Sequence, residues 1–473
     1  MNRRIPINLD VGGKPEGASA GSFAARDAVA TSSGEIDRKI YVSEDIYKQE
    51  LQQVFKRSWL YIGHESQIPK PGDFVLSRMG DESVILTRDA QGVVHVFLNS
   101  CRHRGMKVCR YDEGNARNFV CPYHGWTFKT SGELMLVPGY EEGYKAAPFD
   151  KAEWGLVEVA QIAHLRGTVW ATWDATAPSF RDYMGDMYFS MDLALQPWNG
   201  GDDEIELLGS PQKWVIPSNW KIVAENFAGD MAHAVSHASV DKVGIGANNK
   251  DGLTEGRRDD PGELALTTTP QGHGLLYGIS PKGQEPRDYA ISPPTAAYFL
   301  ENWRERQKLQ GEKGRLTPVV GTVFPNMSFH GQQPRTILVS HPNGPNHTEM
   351  WRVYFVDKKA PPEVKAFLRR YYTRYSGPAG MTEQDDMENW NYATASCKGS
   401  VAEDYPFNYK AGLNVAGTHP LVPGTVTQHP ITSEQNVRSL YQRWAEMMDA
   451  RSWADLHPTG SDVAAAAVGG GKQ

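Results

Sequence analysis

The segment CRHRGMKVCRYDEGNARNFVCPYHGW, residues 101–126, places Cys101-x-His103 and Cys121-x-x-His124 in two turn-rich loops separated by seventeen residues. Two thiolates and two imidazoles on paired loops suit either a tetrahedral zinc ion or a [2Fe–2S] cluster with both cysteines on one iron and both histidines on the other. Zinc sites more often use C-x2–4-C hairpins and H-x3–5-H helices, a spacing this segment lacks. Cys109 has no histidine two or three residues on and is read as a loop or packing cysteine; Cys397 is left unassigned.

A second constellation lies in ENFAGDMAHAVSHAS, residues 225–239, where Asn226, Asp230, His233 and His237 fall at i, i+4, i+7 and i+11. That period predicts one face of a single α-helix. His233 and His237 can then point at one metal, and no glutamate follows His233, so the zinc-protease pattern H-E-x-x-H is excluded. Two histidines and a carboxylate make the facial triad of non-haem Fe(II) oxygenases, which leaves coordination positions open. The bland alternative is a pair of satisfied surface or core histidines. The run GMTEQDDMENW, residues 380–390, offers carboxylates, and by itself reads as an acidic, solvated helix start.

The elements that must carry these groups follow from pattern. Residues 11–35 are rich in small and breaking residues, so a poorly ordered or draped stretch is expected there within a flexible arm over 1–38, and a disordered tail over 458–473. A helix capped by Ser43 is expected within 39–58, packing on the catalytic domain through Tyr47, Leu51, Val54 and Phe55. From 59 to 174, short runs such as DFVLSRM, SVILTRD and GTVWATW between turns predict a small antiparallel β domain. Residues 175–457 mix helical and strand periods, as in WKIVAENF, RTILVSH and EMWRVYFVD. The last helix buries Val437, Leu440, Tyr441, Trp444, Met447 and Met448 behind a Thr432/Gln435 capping box. The fold class is α+β: a small antiparallel-β domain, then a larger domain with an antiparallel sheet surrounded by helices.

Bulk properties exclude other roles. A net charge of −7 argues against nucleic-acid and anionic-membrane partners. There is no apolar run of about 18 residues, and MNRRIPINLDVGG has no apolar stretch behind its arginines, so a cytoplasmic protein is expected. Four cysteines in 473 residues do not make a disulfide scaffold.

C-x-H-R-G followed by C-x-x-H-G-W resembles the Rieske domain of aromatic-ring-hydroxylating oxygenases, and E-Q-D-D-x-E-N-W after P-A-G resembles the iron-aspartate segment of biphenyl- and benzene-type dioxygenase large (α) subunits. The resemblance spans nearly the whole chain. It implies a Rieske [2Fe–2S] cluster on Cys101, His103, Cys121 and His124, and a mononuclear Fe(II) on His233, His237 and Asp386, with Asp385 as the alternative carboxylate. It implies that Asp230 bridges the iron site to a Rieske histidine of a neighbouring subunit, and that Asn226 sits beside the iron. The chain departs from the family in one respect: only AVS separates the two histidines, where four or five residues are usual, which keeps a regular helix between the ligands.

The same resemblance implies cis-dihydroxylation of an aromatic ring with O2. Electrons would come from NADH through a ferredoxin and a reductase, because the chain has no G-x-G-x-x-G of its own. A small β subunit in an α3β3 assembly is implied as well. Phe227, Met231 and Ala234 flank the metal-bearing face and, with Asn226, are expected to line the pocket. An apolar pocket favours an aromatic or polycyclic hydrocarbon; the alternative is dioxygenation or monooxygenation of a benzoate-, phthalate- or salicylate-like acid, which needs a buried arginine or several polar donors. Ser376 stands near a bulky aromatic of the relatives, which predicts a roomier pocket there.

Overall fold

A computed structural model describes residues 24–230, 232–245, 262–287, 289–331, 334–427 and 432–456, without the side chains of Ala234 and Asp241. Residues 55–177 form one compact unit, and the described residues of 24–54 and 178–456 form another.

The first unit is built from antiparallel strands β1 (Leu60–His64), β2 (Asp73–Met79), β3 (Glu82–Arg88), β4 (Val94–Leu98), β5 (Glu113–Asn115), β6 (Asn118–Val120), β7 (Thr127–Lys129), β8 (Leu134–Leu136), β9 (Gln161–Leu165) and β10 (Thr168–Thr172). They form three sheets in the orders β4-β3-β2-β5, β8-β7-β6 and β9-β10-β1. Phe74 of DFVLSRM, Ile85 of ESVILTR and Phe97 of VHVFL are buried with Phe119 and Phe128 in one cluster, which also receives both Cys101 and Cys121.

The second unit centres on a nine-stranded sheet. Its strands are β11 (Ile205–Leu207), β12 (Gln212–Ile216), β13 (Glu263–Thr268), β14 (Gly274–Ile279), β15 (Leu316–Val323), β16 (Met327–His330), β17 (Thr336–Pro342), β18 (Thr348–Asp357) and β19 (Thr425–Thr427). They run in the order β11-β18-β17-β16-β15-β14-β13-β19, with β12 also pairing β18. Around it lie helices α1 (Glu44–Glu50), α2 (Trp220–Phe227), α3 (Pro293–Gln310), α4 (Pro362–Tyr375), α5 (Met381–Ser396) and α6 (Gln435–Asp449). Ser43 caps α1 by accepting from Ile46 N. The buried Glu50 at its end takes the indole N–H groups of Trp220 and Trp444, each at 2.9 Å, together with the Lys221 ammonium.

Four expectations are corrected. Residues 24–38 are not a flexible arm. Ala25–Ala28 is a helical turn whose N–H groups at Ala25 and Arg26 are taken by Asp449, and Val29–Ala30 pairs with Glu35–Ile36, which pairs with Phe407–Asn408. The small side chains that read as disorder permit close packing there; residues 1–23 and the expected tail 458–473 lie outside the described residues. The capping box is absent, because α6 starts at Gln435 after Glu434, and the Gln435 side chain accepts from Arg438. The space beside Ser376 is taken by Tyr354, whose hydroxyl is 3.2 Å from Ser376 Oγ.

The fourth correction concerns the histidine segment, which is not one α-helix. α2 ends at Phe227, Gly229 turns the chain with φ +116°, and Ala232–His237 is a 3-10 helix followed by an α-turn over Ala238–Lys242. A Cβ at Gly229 would lie 2.5 Å from Leu266 Cδ1, so a side chain there is strained by backbone conformation and requires the Leu266 methyl to shift. Small residues that preserve an i, i+4 pattern hid this break.

Candidate metal centres

The two loops of the small unit are built on one plan. Cys101 N donates to Met106 O at 2.8 Å and Gly105 N to Cys101 O at 2.8 Å; in the other loop Cys121 N donates to Trp126 O at 2.8 Å and Gly125 N to Cys121 O at 3.0 Å. Each glycine adopts positive φ, 73° and 72°, which closes the loop behind its cysteine. The histidine stands two residues after the cysteine in one loop and three after it in the other, yet His103 Nδ1 and His124 Nδ1 meet at 3.1 Å. His103 stacks on the buried Trp126 ring at 5.0 Å and 5°.

Both thiols are buried. Burial, with Cys121 alongside, pushes the Cys101 thiol up to about 11, against the N–H groups of His103 and Arg104 that face its sulfur. Metal bonding removes this penalty by replacing the thiol proton. Cys109 belongs to neither pair. Its backbone is clamped by Asn99, which accepts from Val108 N and Cys109 N and donates to Cys109 O, and burial pushes its thiol up to about 12. Cys397 is the buried C-cap residue of α5, and its thiol contacts Ala393 O.

In the larger unit His233, His237 and Asp386 each turn a ligand atom to a common point, all within 4.8 Å of one another. The two Nε2 atoms are 3.2 Å apart, and Asp386 Oδ1 is 3.7 Å from His233 Nε2 and 3.3 Å from His237 Nε2. Ligands about 2.1 Å from one metal, at angles near 90–120°, lie roughly 3.0–3.6 Å apart, so the three atoms fit a single ion. The two imidazole rings meet nearly at right angles, with an interplanar angle of 82°.

Each imidazole is held from behind. His233 Nδ1 contacts the Asp230 carbonyl oxygen and lies 3.1 Å from Asn226 Nδ2, while Asn226 Oδ1 accepts from Trp390 Nε1 at 2.9 Å. His237 Nδ1 faces Asp385 Oδ2 at 3.4 Å, and Ser239 Oγ donates to the same oxygen at 3.1 Å. Of the two neighbouring aspartates, Asp386 therefore meets both Nε2 atoms and Asp385 addresses the opposite side of His237. Burial, then the Glu383 carboxylate, holds Asp386 well above the usual carboxylate range, with Arg352 opposing. Its Oδ1 has no hydrogen-bond partner among the described residues. A buried carboxylate oxygen without a hydrogen-bond partner, aimed at two imidazole nitrogens, is a donor set that a cation would satisfy.

Asp230 is one-third exposed, with Oδ1 accepting from Ala232 N at 3.0 Å and Oδ2 3.8 Å from His233 Nδ1. Phe227 is buried and lies 5.4 Å from the His330 ring and 6.1 Å from Trp390. Met231 and the Ala234 side chain lie outside the described residues.

Comparison with known proteins accords with both centres. Residues 58–153 match the family Rieske [2Fe-2S] domain, and residues 182–450 match ring hydroxylating alpha subunit (catalytic domain). The chain is 38% identical to the biphenyl 2,3-dioxygenase subunit alpha of Rhodococcus jostii, covering 95% of each. This chain belongs to the ring-hydroxylating dioxygenase alpha subunits.

Another alpha subunit, that of benzene 1,2-dioxygenase from Pseudomonas putida, is 36% identical over 90% of this chain and 94% of its own. A solved structure of naphthalene 1,2-dioxygenase with indole in its active site superposes with a TM-score of 0.82, at 30% identity over 92% of this chain and 97% of that one. As a member of this family the chain is an oxygenase with a Rieske [2Fe–2S] domain followed by a mononuclear-iron catalytic domain. The paired thiols and imidazoles fit the first group, and the orphaned Asp386 oxygen with its two imidazoles fits the second.

Several groups beside this alpha subunit's metal point were not singled out in sequence. His330, at the end of β16, is desolvated and lies near Arg352 and the two metal-facing histidines, which pushes it down to about 3 and leaves it neutral. Arg352 and Glu383 form a fully buried ion pair. The signal for Arg352 was a charge in the middle of the strand pattern EMWRVYFVD; Glu383 was hidden in an acidic run, and His330 carried no local signal.

Proposed function

We propose that this alpha subunit cis-dihydroxylates an uncharged aromatic or polycyclic hydrocarbon, with Cys101, His103, Cys121 and His124 holding the cluster and His233, His237 and Asp386 the iron. The observation that carries the reading is the convergence of the two Nε2 atoms and Asp386 Oδ1. When bound, the cluster would supply single electrons and the iron would supply the O2 chemistry of ring oxidation.

The chain's own groups do the positioning. With Nε2 turned to the metal, His233 Nδ1–H donates to the Asp230 carbonyl and His237 Nδ1–H to Asp385, which fixes both tautomers. Trp390 locks the Asn226 amide beside His233. Asp230, part-exposed and tied to the His233 side of the site, is suited to accept an N–H from a Rieske histidine of a neighbouring subunit, so it is the proposed relay.

Phe227, buried beside Asn226 on the metal-facing side, is the proposed apolar wall of the substrate pocket. The buried arginine nearby, Arg352, lies 5.8 Å from the Phe227 ring, but its charge is matched by Glu383, so it is not left to receive a substrate carboxylate. This favours hydrocarbons over aromatic acids, as do the biphenyl, benzene and naphthalene named for the relatives. No helix among the described residues is long and apolar enough to cross a membrane. A cytoplasmic location, a small β subunit in an α3β3 assembly, and electron supply by a ferredoxin and an NADH-dependent reductase complete the proposal.

Metal analysis with EPR tests the assignment. Purified protein is expected to hold the cluster irons plus one further iron, with a Rieske signal on reduction; His233→Ala should lose the further iron and keep the signal. Stoichiometric zinc, or a cluster with no further iron, would refute it.

A further inference from the structure

The buried Arg352–Glu383 pair lies one helical turn before Asp386. Arg352 projects from the interior of β18, where its backbone is paired to Leu338 on β17 and to Gln212 on β12. Glu383 sits in the first turn of α5, three residues before Asp386, so the two carboxylates lie on neighbouring positions of one helix face. The Glu383 carboxylate takes the Arg352 guanidinium and the N–H of Gly377 in the turn that leads into α5. That helix has no side-chain cap at Gly380; Glu383 moors it to the sheet, while the neighbouring Thr382 Oγ1 donates to Tyr375 O of the preceding helix.

The pair is poorly explained by stability. Both side chains are at most 2% exposed, and desolvating two charges commonly costs as much as their attraction returns. Arg352 Nε and Glu383 Oε1 are left without hydrogen-bond partners among the described residues, so the pair does not even satisfy itself fully. A Met–Leu replacement of similar volume would stabilise the fold as well or better. What such a replacement cannot supply is direction: the ion pair ties one point on the sheet to one point on the helix that carries Asp386.

We infer that Arg352 and Glu383 are positioning residues, a strut between β18 and α5 that sets Asp386 Oδ1 against His233 and His237. The inference rests on Asp386 being an iron ligand.

Co(II) titrated by calorimetry into the full chain, with the mononuclear site stripped by chelator and the cluster intact, separates the two ideas. Asp386→Asn is expected to weaken Co(II) binding by at least about 100-fold; unchanged binding would overturn the ligand assignment itself. The double variant Arg352→Met/Glu383→Leu is expected to keep or raise Tm while binding Co(II) about 10- to 100-fold more weakly, the range typical for groups that hold metal ligands. Wild-type Co(II) affinity in that variant, or a loss of Tm in parallel with affinity, would overturn the strut. If the double variant does not fold, Glu383→Gln replaces it: about 10-fold weaker binding at wild-type Tm supports the strut, and unchanged binding overturns it.

Discussion

Asp385 and Asp386, adjacent in sequence, address opposite edges of one imidazole: Asp386 Oδ1 is 3.3 Å from His237 Nε2, and Asp385 Oδ2 is 3.4 Å from His237 Nδ1. One is placed to bind the metal and the other to orient a ligand. Asp385→Asn should therefore retain the iron but weaken its binding by about 10- to 100-fold. Competitive chelation followed by iron analysis checks this; complete loss of iron would mean that Asp385 is itself a ligand.

The turn that delivers the histidines depends on Gly229. At φ +116°, and with Leu266 Cδ1 2.5 Å from where a Cβ would stand, Gly229→Ala carries both backbone strain and a clash. The expected cost is roughly 1–3 kcal/mol, read from urea unfolding. Iron content should fall with it, because the strain is relieved by shifting the segment that leads to His233.

Asn99 makes the corresponding investment in the cluster domain. Its carboxamide bonds Val108 N, Cys109 N and Cys109 O and so closes the chain that follows the Cys101 loop. Asn99→Ala leaves these buried groups unpaired at about 1–3 kcal/mol for each. The cluster's visible absorbance should be lost at a lower temperature, while Asn99→Asp, which keeps the two acceptor bonds, should lose less.

In the same domain His95 is held between two carboxylates, with Nδ1 2.7 Å from Glu158 and Nε2 3.2 Å from Asp89. Burial opposes its charge, but the hydrogen bonds and charges of Glu158 and Asp89 prevail and raise its pKa above the usual value. A raised folded-state pKa means the stabilisation is complete below the unfolded value of about 6.5 and is lost as pH rises through the folded value. The melting temperature of the Rieske domain should thus decline between pH 6 and 8, and His95→Gln should flatten that decline. An equal decline in the variant would exclude His95 as its source.

What could be read from sequence follows from how local each signal is. The cluster loops were legible because each places a cysteine, a histidine and a glycine within five residues, so the chemistry and the turn share one short string. α6 was legible in its apolar face, since Leu440, Tyr441, Trp444 and Met447 are fully buried. The break at Gly229 was not, because alanines and glycine satisfy helical period while the contact that crowds a side chain comes from Leu266, far along the chain. Arg352 and Glu383 were invisible as a pair for the same reason: each reads as an ordinary charge until the fold sets them together. Ala25–Ala28 failed in the opposite sense, where a composition typical of disorder is ordered by a distant carboxylate, Asp449.

The most direct test of the central claim is the fate of labelled oxygen. Naphthalene or biphenyl is turned over under 18O2 by the reconstituted oxygenase with ferredoxin, reductase and NADH, and the product is weighed by mass spectrometry. A cis-dihydrodiol carrying both labelled atoms, absent in Asp386→Asn, is the expected result. A singly labelled product, or turnover of benzoate in preference to either hydrocarbon, would contradict the account.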